Sequence, residues 1–273
     1  QPQRHSTLPD MVAPATEAAS AEADAGKAPP RRVGVRLIVF DFDQTLSCAH
    51  VFYALSGRGT SGRGLVVPAP YAVSELGQLC RVDELSKGKF KDKGGFAQLA
   101  FGGAARVEQV QQTLQALRDA DVELMVCSKG LVGPINYCLE ALDMRGHFAS
   151  VYARTADAYG STEYDAKAVL PEELKRFMGV PSQDIWKSKE RLMRNLMAER
   201  GLRREQAVLV EDDPQEIASA GPVCLTVFVS EAAGMQRQHC DELIRLATRP
   251  HTEVANRCDT AAGGLFRKGC AIC

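Results

Sequence analysis

The sequence predicts an α/β protein: a doubly wound parallel sheet with helices on both faces and an irregular insertion after the first strand. Short apolar runs of strand length alternate with segments of helical periodicity along most of the chain. The apolar runs are continuous, which is typical of strands that are buried on both faces. Several of them lead directly into polar or charged residues, and the carboxyl ends of strands are where open α/β sheets place their chemistry.

The composition is that of an ordinary globular protein, and it argues against several functional classes. Of the 273 residues, 45% are hydrophobic and 25% are charged, and the formal net charge of −1 gives no electrostatic reason to expect a nucleic acid as partner. No apolar run approaches the roughly 20 residues that span a bilayer. The amino-terminal segment lacks the apolar core of a secretory signal, and the nine cysteines have no framework spacing. We therefore expect a cytoplasmic protein.

Three regions are predicted along the chain. Residues 1–32 are rich in Ala, Pro, Glu and Ser, and we expect them to form a disordered tail. Residues 33–250 carry the alternating pattern and are expected to form the core, with the insertion at about 47–103. Residues 251–273 are expected to form a polar C-terminal tail.

The first strand is predicted at 35–40 and leads into two aspartates, Asp41 and Asp43. Side chains alternate along an extended backbone, so both carboxylates are expected to point the same way while Phe42 points back. Two neighbouring carboxylates repel each other unless a cation lies between them or they share a proton. The pair therefore indicates a hard divalent metal ion, acid–base chemistry, or both.

The segment after this strand is the least regular part of the predicted core. Residues 57–64 form a loop rich in Gly and Arg, and one helix is predicted at 71–85. A robust helical bundle would show clearer apolar spacing, so we expect a small or irregular insertion. The alternative is that the segment is a disordered loop.

The remaining elements alternate along the chain. Apolar runs predict strands at 122–127, 150–153, 207–210 and 223–229. Helices are predicted at 107–117, 135–142, 172–178, 190–200 and 241–248. Pro134 suits the first turn of the second of these helices, and Gly201 ends the fourth.

Polar groups follow three of the predicted strands and open one helix. They are Asp41 and Asp43 after the first strand, Ser128-Lys129-Gly130 after the second, Glu211-Asp212-Asp213 after the fourth, and Lys189 at the start of a helix. Because the carboxyl ends of parallel strands share one edge of the sheet, we expect these groups to converge. The carboxylates would form a Mg²⁺ cage, and Ser128 and Lys189 would bind an anion. A cation and anion-binding groups around a free carboxylate describe phosphoryl transfer to an aspartate.

In these residues the sequence resembles the haloacid dehalogenase superfamily of aspartate-dependent phosphohydrolases. Four motifs occur in the order typical of that family: Asp41-Phe42-Asp43-Gln44-Thr45; Val126-Cys127-Ser128-Lys129-Gly130; Lys189 with Leu192 and Leu196; and Val208-Leu209-Val210-Glu211-Asp212-Asp213-Pro214. The resemblance implies a Rossmann-like core in which the insertion at about 47–103 is a cap. Because this insertion is small or irregular, we expect an open site, which admits macromolecular as well as small substrates. The resemblance also implies a Mg²⁺-dependent phosphatase. Its substrate would be a phosphorylated small molecule or a phosphoprotein.

The resemblance also implies a role for each residue of the first motif. Asp41 would be the nucleophile that forms an aspartyl-phosphate. Asp43 would protonate the leaving oxygen and later activate the hydrolytic water, and its backbone carbonyl would bind Mg²⁺. Thr45 would order the loop.

The other motifs would bind the phosphoryl group and the metal ion. Ser128, Lys129 and Lys189 would contact the phosphoryl group, and Lys189 would also orient the nucleophile. The implied metal ligands are Asp41, Asp43, Glu211, Asp212 and Asp213.

Two assignments stay open at this point. If the fourth motif is aligned on Pro214, its two acids are Glu211 and Asp212; if it is aligned on the acids alone, they are Asp212 and Asp213. The third motif could begin at Lys187 instead of Lys189, although Lys189 places the leucines that follow on one helical face.

Two further readings of the chain compete with the phosphatase. One is a catalytically weak protein of the same fold that binds phosphorylated partners. The other is a lipid-anchored adaptor, because Cys270-Ala271-Ile272-Cys273 resembles a prenylation box and would bring the protein to a membrane if Cys270 were modified. His50, which follows the first motif, is expected to be a surface or packing residue.

Overall fold

A computed structural model describes residues 34–58, 65–156, 158–180, 187–230 and 233–249. These residues form a five-stranded sheet with strand order β3-β2-β1-β4-β5, in which every neighbouring pair is parallel. The strands are β1 (Leu37–Phe40), β2 (Glu123–Leu131), β3 (Ser150–Arg154), β4 (Ala207–Glu211) and β5 (Leu225–Phe228). The predicted doubly wound parallel sheet is confirmed.

Helices connect the strands and cover the sheet. Within the described residues they are α1 (Val51–Ser56), α2 (Glu75–Lys87), α3 (Gly95–Ala100), α4 (Ala104–Asp119), α5 (Val132–Ala141), α6 (Glu163–Lys167), α7 (Lys189–Arg200), α8 (Pro214–Ala220) and α9 (Arg237–Thr248). The helix predicted at 172–178 is a 3₁₀ helix, Glu172–Phe177. None of the described helices combines the length and the apolar character needed to cross a bilayer.

The sheet is buried on both faces, as the continuous apolar runs predict. On β1, Ile38 and Phe40 contact one hydrophobic cluster, while Leu37 and Val39 contact another. The first cluster includes residues of α2, α3, α4, α5 and α9, and the second includes residues of α7. The central strand therefore places its alternate side chains in two separate cores, and its last residue ends between them.

The insertion after β1 contains more helix than its weak periodicity indicated. The helix predicted at 71–85 begins at Glu75, because the Ser74 hydroxyl accepts a hydrogen bond from the Gly77 N–H (3.0 Å) and caps the first turn. Buried side chains of the insertion, among them Leu55, Val82 and Phe96, belong to the same cluster as one face of the sheet. These helices therefore pack onto the core.

Several predictions concern residues outside those that the structure describes. They are the N-terminal tail, the polar C-terminal tail with Cys270, and most of the loop predicted at 57–64. These stay predictions.

Candidate active site

The site forms where β1 and β4 end side by side. Phe40 lies level with Val210 in the parallel register, and the Asp41 N–H donates to the Val210 carbonyl (2.8 Å). Asp41 and Glu211 therefore lie at neighbouring strand ends, and they are 5% and 1% exposed. The sheet register alone brings together two carboxylates that are far apart in sequence.

Lys189 lies between these two carboxylates. Its Nζ is 2.5 Å from Asp41 Oδ1 and 2.5 Å from Glu211 Oε2, and the residue is 2% exposed. Burial alone would lower the pKa of Lys189, but the charges of Asp41 and Glu211 raise it above its ordinary value. The lysine is therefore a fixed positive charge at neutral pH.

The start of α7 explains the position of Lys189. The Ser188 hydroxyl accepts a hydrogen bond from the Arg191 N–H (3.2 Å) and caps the helix, while Leu192 and Leu196 are buried against one face of the sheet. The helix thus begins at the strand ends with its first side chain directed between the acids. Lys187, the alternative considered for this motif, is exposed.

Asp43 lies beside Asp41 in a different environment. Its Oδ1 accepts a hydrogen bond from the Val51 N–H (2.7 Å), and its Oδ2 is 3.2 Å from His50 Nδ1. Burial, and then the negative charge of Asp41, raise the pKa of Asp43 well above its ordinary value. Burial also raises the pKa of Asp41, but the charge of Lys189 opposes that rise, so the pKa of Asp43 is the more strongly raised of the two.

Hydrogen bonds to the residues on either side of Asp43 fix the turn that carries it. Gln44 has φ of 58°, and the Ser47 N–H donates to the Phe42 carbonyl (2.9 Å), which closes the turn. The Thr45 carbonyl accepts hydrogen bonds from the Met235 N–H (2.8 Å) and from the Arg106 guanidinium (3.3 Å). These backbone hydrogen bonds and the Arg106 side chain thus hold the turn in one conformation.

Thr45 also contacts the acidic cluster. Its Oγ1 donates a hydrogen bond to Asp212 Oδ1 (3.4 Å), and Thr45 is fully buried. This contact links the first and fourth motifs, in keeping with the ordering role that the resemblance implies for Thr45.

Three carboxylates form a group that could hold a metal ion. Asp41, Glu211 and Asp212 each offer an oxygen, and these oxygens all lie within 4.8 Å of one another. Burial and the charge of Asp41 raise the pKa of Glu211 to about 8 and that of Asp212 to about 6. A cation would relieve this repulsion, and an all-oxygen donor set suits a hard divalent ion such as Mg²⁺. The residues present therefore fit the metal ion that the resemblance implies.

Asp213 has other partners. Its Oδ1 accepts a hydrogen bond from the Gln215 N–H (2.8 Å) and caps α8, and its Oδ2 is 3.4 Å from Lys129 Nζ. Partial burial raises the pKa of Asp213, but these two contacts outweigh it and lower the value. Of the two alignments of the fourth motif, the one on Pro214 agrees with this geometry.

Ser128 and Lys129 occupy the end of the neighbouring strand. Ser128 is 1% exposed, and its Oγ accepts a hydrogen bond from the Gly130 N–H (3.0 Å). A Cβ at Gly130 would lie 3.2 Å from Ser128 Oγ and 3.3 Å from Asp43 Oδ2, so glycine allows this close approach. Lys129 is exposed, and its Nζ also pairs with Glu216 (2.8 Å).

All the predicted site residues except Thr45 line one cleft of about 370 Å³, whereas Thr45 is fully buried and does not line it. Its lining residues are Asp41, Asp43, Gln44, His50, Tyr53, Ser128, Lys129, Lys189, Glu211, Asp212, Asp213 and Pro214.

Comparisons with known proteins give structural matches alone. No protein-family model matches the chain, and no curated protein matches it. The HAD domain of the effector protein Lem4 from Legionella pneumophila matches 78% of this chain and 96% of its own, at 14% identity and a TM-score of 0.47.

Two further solved structures are similar at lower TM-scores. A HAD-superfamily hydrolase from Geobacter sulfurreducens matches 78% of this chain and 97% of its own, at 16% identity and a TM-score of 0.37. A phosphoserine phosphatase in its apo form matches 70% and 84%, at 16% identity and a TM-score of 0.35. The parallel sheet and the insertion after β1, described above, are the architecture that the sequence resemblance predicts.

Four lining residues are not among the predicted site residues: Gln44, His50, Tyr53 and Pro214. Two of them carry aromatic rings, and one of these, His50, was expected to be a surface or packing residue. His50 is stacked on Tyr53, with ring centroids 3.7 Å apart and planes 17° apart. Tyr53 is 43% exposed, although the other side chains of α1 near it are buried. The signal available in the sequence was an outward-facing tyrosine on a short helix otherwise made of apolar residues, directly after the two aspartates.

Proposed function

We propose that this protein hydrolyses phosphoric monoesters through a covalent aspartyl-phosphate on Asp41, with Mg²⁺ as cofactor. The observation that carries the proposal is the position of Asp41. It is a buried carboxylate at a strand end, between a fixed lysine and two further acids, with the protonatable Asp43 beside it.

Asp41 attacks the phosphorus in the first step. The ester P–O bond breaks as a bond forms between an Asp41 oxygen and phosphorus, and the proton of Asp43 passes to the leaving oxygen to give the free alcohol. Lys189 holds Asp41 in place and offsets the repulsion between the carboxylate and the phosphate.

Hydrolysis of the intermediate reverses the role of Asp43. Its carboxylate, now deprotonated, takes a proton from a water molecule whose oxygen attacks the phosphorus. The bond between Asp41 and phosphorus breaks, inorganic phosphate leaves, and Asp43 carries its proton again. The hydrogen bond from the Val51 N–H holds Asp43 in one position for both steps.

Asp41, Glu211 and Asp212 would hold the Mg²⁺ ion. When bound, the ion supplies Lewis-acid stabilisation of the charge on the phosphoryl oxygens. Ser128 accepts a hydrogen bond from Gly130, so its own hydroxyl hydrogen is available to a phosphoryl oxygen. Lys129 adds positive charge at the exposed rim of the cleft.

Replacement of Asp41 by asparagine tests the proposal. Asp41→Asn keeps the shape of the side chain but removes the nucleophilic oxygen, so we expect turnover of an activated aryl phosphate to fall by about 1,000-fold or more. Steady-state rates with and without Mg²⁺ measure this, and Asp92→Asn, at an exposed site remote from the cleft, is the matched control.

Full Mg²⁺-dependent activity in Asp41→Asn would contradict the assignment of the nucleophile. If the intact protein hydrolysed no phosphomonoester but bound inorganic phosphate in calorimetry, the alternative of a non-catalytic phosphate-binding protein would be favoured.

A further inference from the structure

Two aromatic side chains, His50 and Tyr53, line the cleft next to Asp43, the proposed proton donor. We call this pair the aromatic wall. His50 Nδ1 lies 3.2 Å from Asp43 Oδ2, and the His50 ring is stacked on Tyr53. The His50 side chain is 25% exposed and Tyr53 is 43% exposed, so exposure increases away from Asp43. The pair therefore leads from the buried acid out to solvent.

The position of the proton donor determines where the leaving group lies. In the proposed reaction Asp43 protonates the oxygen that departs from phosphorus. Proton transfer requires that oxygen to lie within hydrogen-bonding distance of the carboxyl group. The organic part of the substrate is attached to the same oxygen, so it must pass the side chains beside Asp43. Within the described residues, His50 and Tyr53 line the cleft there.

The aromatic wall is held rigidly. Val51, Phe52, Ala54 and Leu55 are all 5% exposed or less, so α1 is anchored on its other sides and Tyr53 is the side chain that faces outward. The hydrogen bond from the Val51 N–H to the Asp43 carboxylate links the first residue of α1 to Asp43. Tyr53 is thus a fixed part of the cleft, and binding need not order it first.

Lys129 also lines the cleft, and its ammonium group is paired with Asp213 and Glu216. Charge at the rim suits the phosphoryl group, whereas a tyrosine ring offers a flat apolar face and one hydroxyl. Aromatic rings in contact gain stabilisation beyond the area they bury. A planar leaving group therefore fits this wall better than an aliphatic one that carries charges.

We infer that the preferred substrates are aryl phosphate monoesters, with a phenolic leaving group such as that of phosphotyrosine, and that Tyr53 determines this preference. The inference rests on the proposed phosphatase function.

Paired peptides test the inference. Initial rates are measured for a phosphotyrosyl and a phosphoseryl peptide of otherwise identical sequence, and the readout is the ratio of their kcat/KM values. A ratio corrects for any general loss of activity, and comparison among variants removes the greater intrinsic reactivity of aryl esters.

Three variants assign the preference to the ring of Tyr53. Tyr53→Leu should lower the ratio about threefold to tenfold, mainly through KM for the phosphotyrosyl peptide. Tyr53→Phe retains the ring and should keep the ratio within about twofold of the wild type. Tyr71→Leu removes a tyrosine of similar exposure (40%) that does not line the cleft, and it should also leave the ratio unchanged.

Free phosphotyrosine in the same assay identifies the source of the aryl ester. Equal kcat/KM for the free amino acid and the peptide supports the inference with a small-molecule substrate. A preference for the peptide supports it with a phosphoprotein substrate.

An unchanged ratio in Tyr53→Leu, with its thermal midpoint preserved, would overturn the inference while the phosphatase proposal stands. A fall in the ratio of Tyr53→Phe as large as in Tyr53→Leu would also overturn it, because the hydroxyl would then matter and the ring would not. If the wild-type protein hydrolysed neither peptide nor an activated aryl phosphate, the proposed function itself would fail.

Discussion

Lys189 shows how a single buried charge can define a site. Its ammonium group lies 2.5 Å from oxygens of both Asp41 and Glu211, in surroundings that leave it 2% exposed. A buried cation is tolerated only when it is paired in this way, and each acid here is held close to the other by the same lysine. The residue therefore sets both the charge and the geometry around Asp41.

Replacement of each candidate lysine, Lys189 and Lys187, by methionine should show which of them the activity depends on. Lys189→Met keeps the length of the side chain but leaves Asp41 and Glu211 facing each other, so one of them takes up a proton and the nucleophile is no longer held. We expect kcat to fall by about 100-fold or more, whereas Lys187→Met should retain activity within about threefold. Steady-state kinetics of both variants measures this. Equal losses of activity would contradict the choice of Lys189 over Lys187.

At the level of elements, the turn after β1 depends on the segment that precedes α9. Gly234 has φ of +68°, and a Cβ there would lie 2.3 Å from Arg106 Nη2 and 2.6 Å from the Ser47 carbonyl oxygen. Only a residue without a side chain lets this segment approach the turn, and the Met235 N–H then reaches the Thr45 carbonyl.

Gly234→Ala should therefore destabilise the fold and slow the reaction. Backbone strain and the clash with the Ser47 carbonyl oxygen together should lower the free energy of unfolding by about 2–3 kcal/mol, and displacement of the turn should lower kcat. Gly160→Ala is the matched control, because Gly160 has φ of +85° but nothing lies within 4 Å of its Cβ position. Chemical denaturation should give a loss near 1 kcal/mol for the control, and equal losses in both variants would argue against the proposed contact.

A buried carboxylate at the start of α2 links the insertion to the core by hydrogen bonds. Glu75 is fully buried; its Oε1 accepts hydrogen bonds from the Gly133 and Gly179 N–H groups (2.7 and 2.8 Å), and its Oε2 accepts one from Ala156 (2.9 Å). Three separate segments of backbone are thus joined through a single side chain.

Glu75→Ala should lower the free energy of unfolding by about 3–5 kcal/mol, because it leaves three backbone donors without their acceptor and opens a cavity. Glu84→Ala, on the exposed side of the same helix, removes a half-exposed partner of Arg81 and should cost less than about 1 kcal/mol. Urea denaturation of the two variants measures the difference, and a loss below 1 kcal/mol in Glu75→Ala would contradict the structural role given to it.

For the whole molecule, the acidic group exists only when β1 and β4 are paired. Asp41 comes from one strand and Glu211 with Asp212 from the end of another, and the unfolded chain has no such arrangement. A metal ion that binds this group therefore binds the folded state alone and stabilises it.

Saturating Mg²⁺ should accordingly raise the midpoint of thermal unfolding. At a concentration about 100 times its Kd, the ion adds about 2.7 kcal/mol, or roughly 5–10 °C for a domain of this size. Glu211→Gln should remove most of this increase, whereas Asp213→Asn should keep it. Differential scanning fluorimetry with and without Mg²⁺ checks the order of the variants, and the reverse order would favour Asp212 and Asp213 as the ligands.

Much of the fold was predictable because its signals are local. The continuous apolar runs that became β1, β2 and β4 were located to within a few residues, since a strand covered on both faces needs apolar side chains at every position. The insertion was harder, because α2 buries polar side chains such as Glu75, Gln78 and Arg81 as well as apolar ones, and its start depends on a cap at Ser74.

By itself, the sequence determined the class of fold and the pair Asp41 and Asp43, because strand alternation and apolar runs are properties of neighbouring residues. The tertiary structure alone decided that Lys189 and not Lys187 is buried between the acids, and that Asp213 caps α8 while Glu211 joins Asp41 and Asp212. It also placed His50 and Tyr53 in the cleft. The physical reason is that these features depend on segments that are distant in the chain and meet only when the sheet is assembled. Such contacts decide which side chains are buried and in which direction a side chain points where a strand meets a helix.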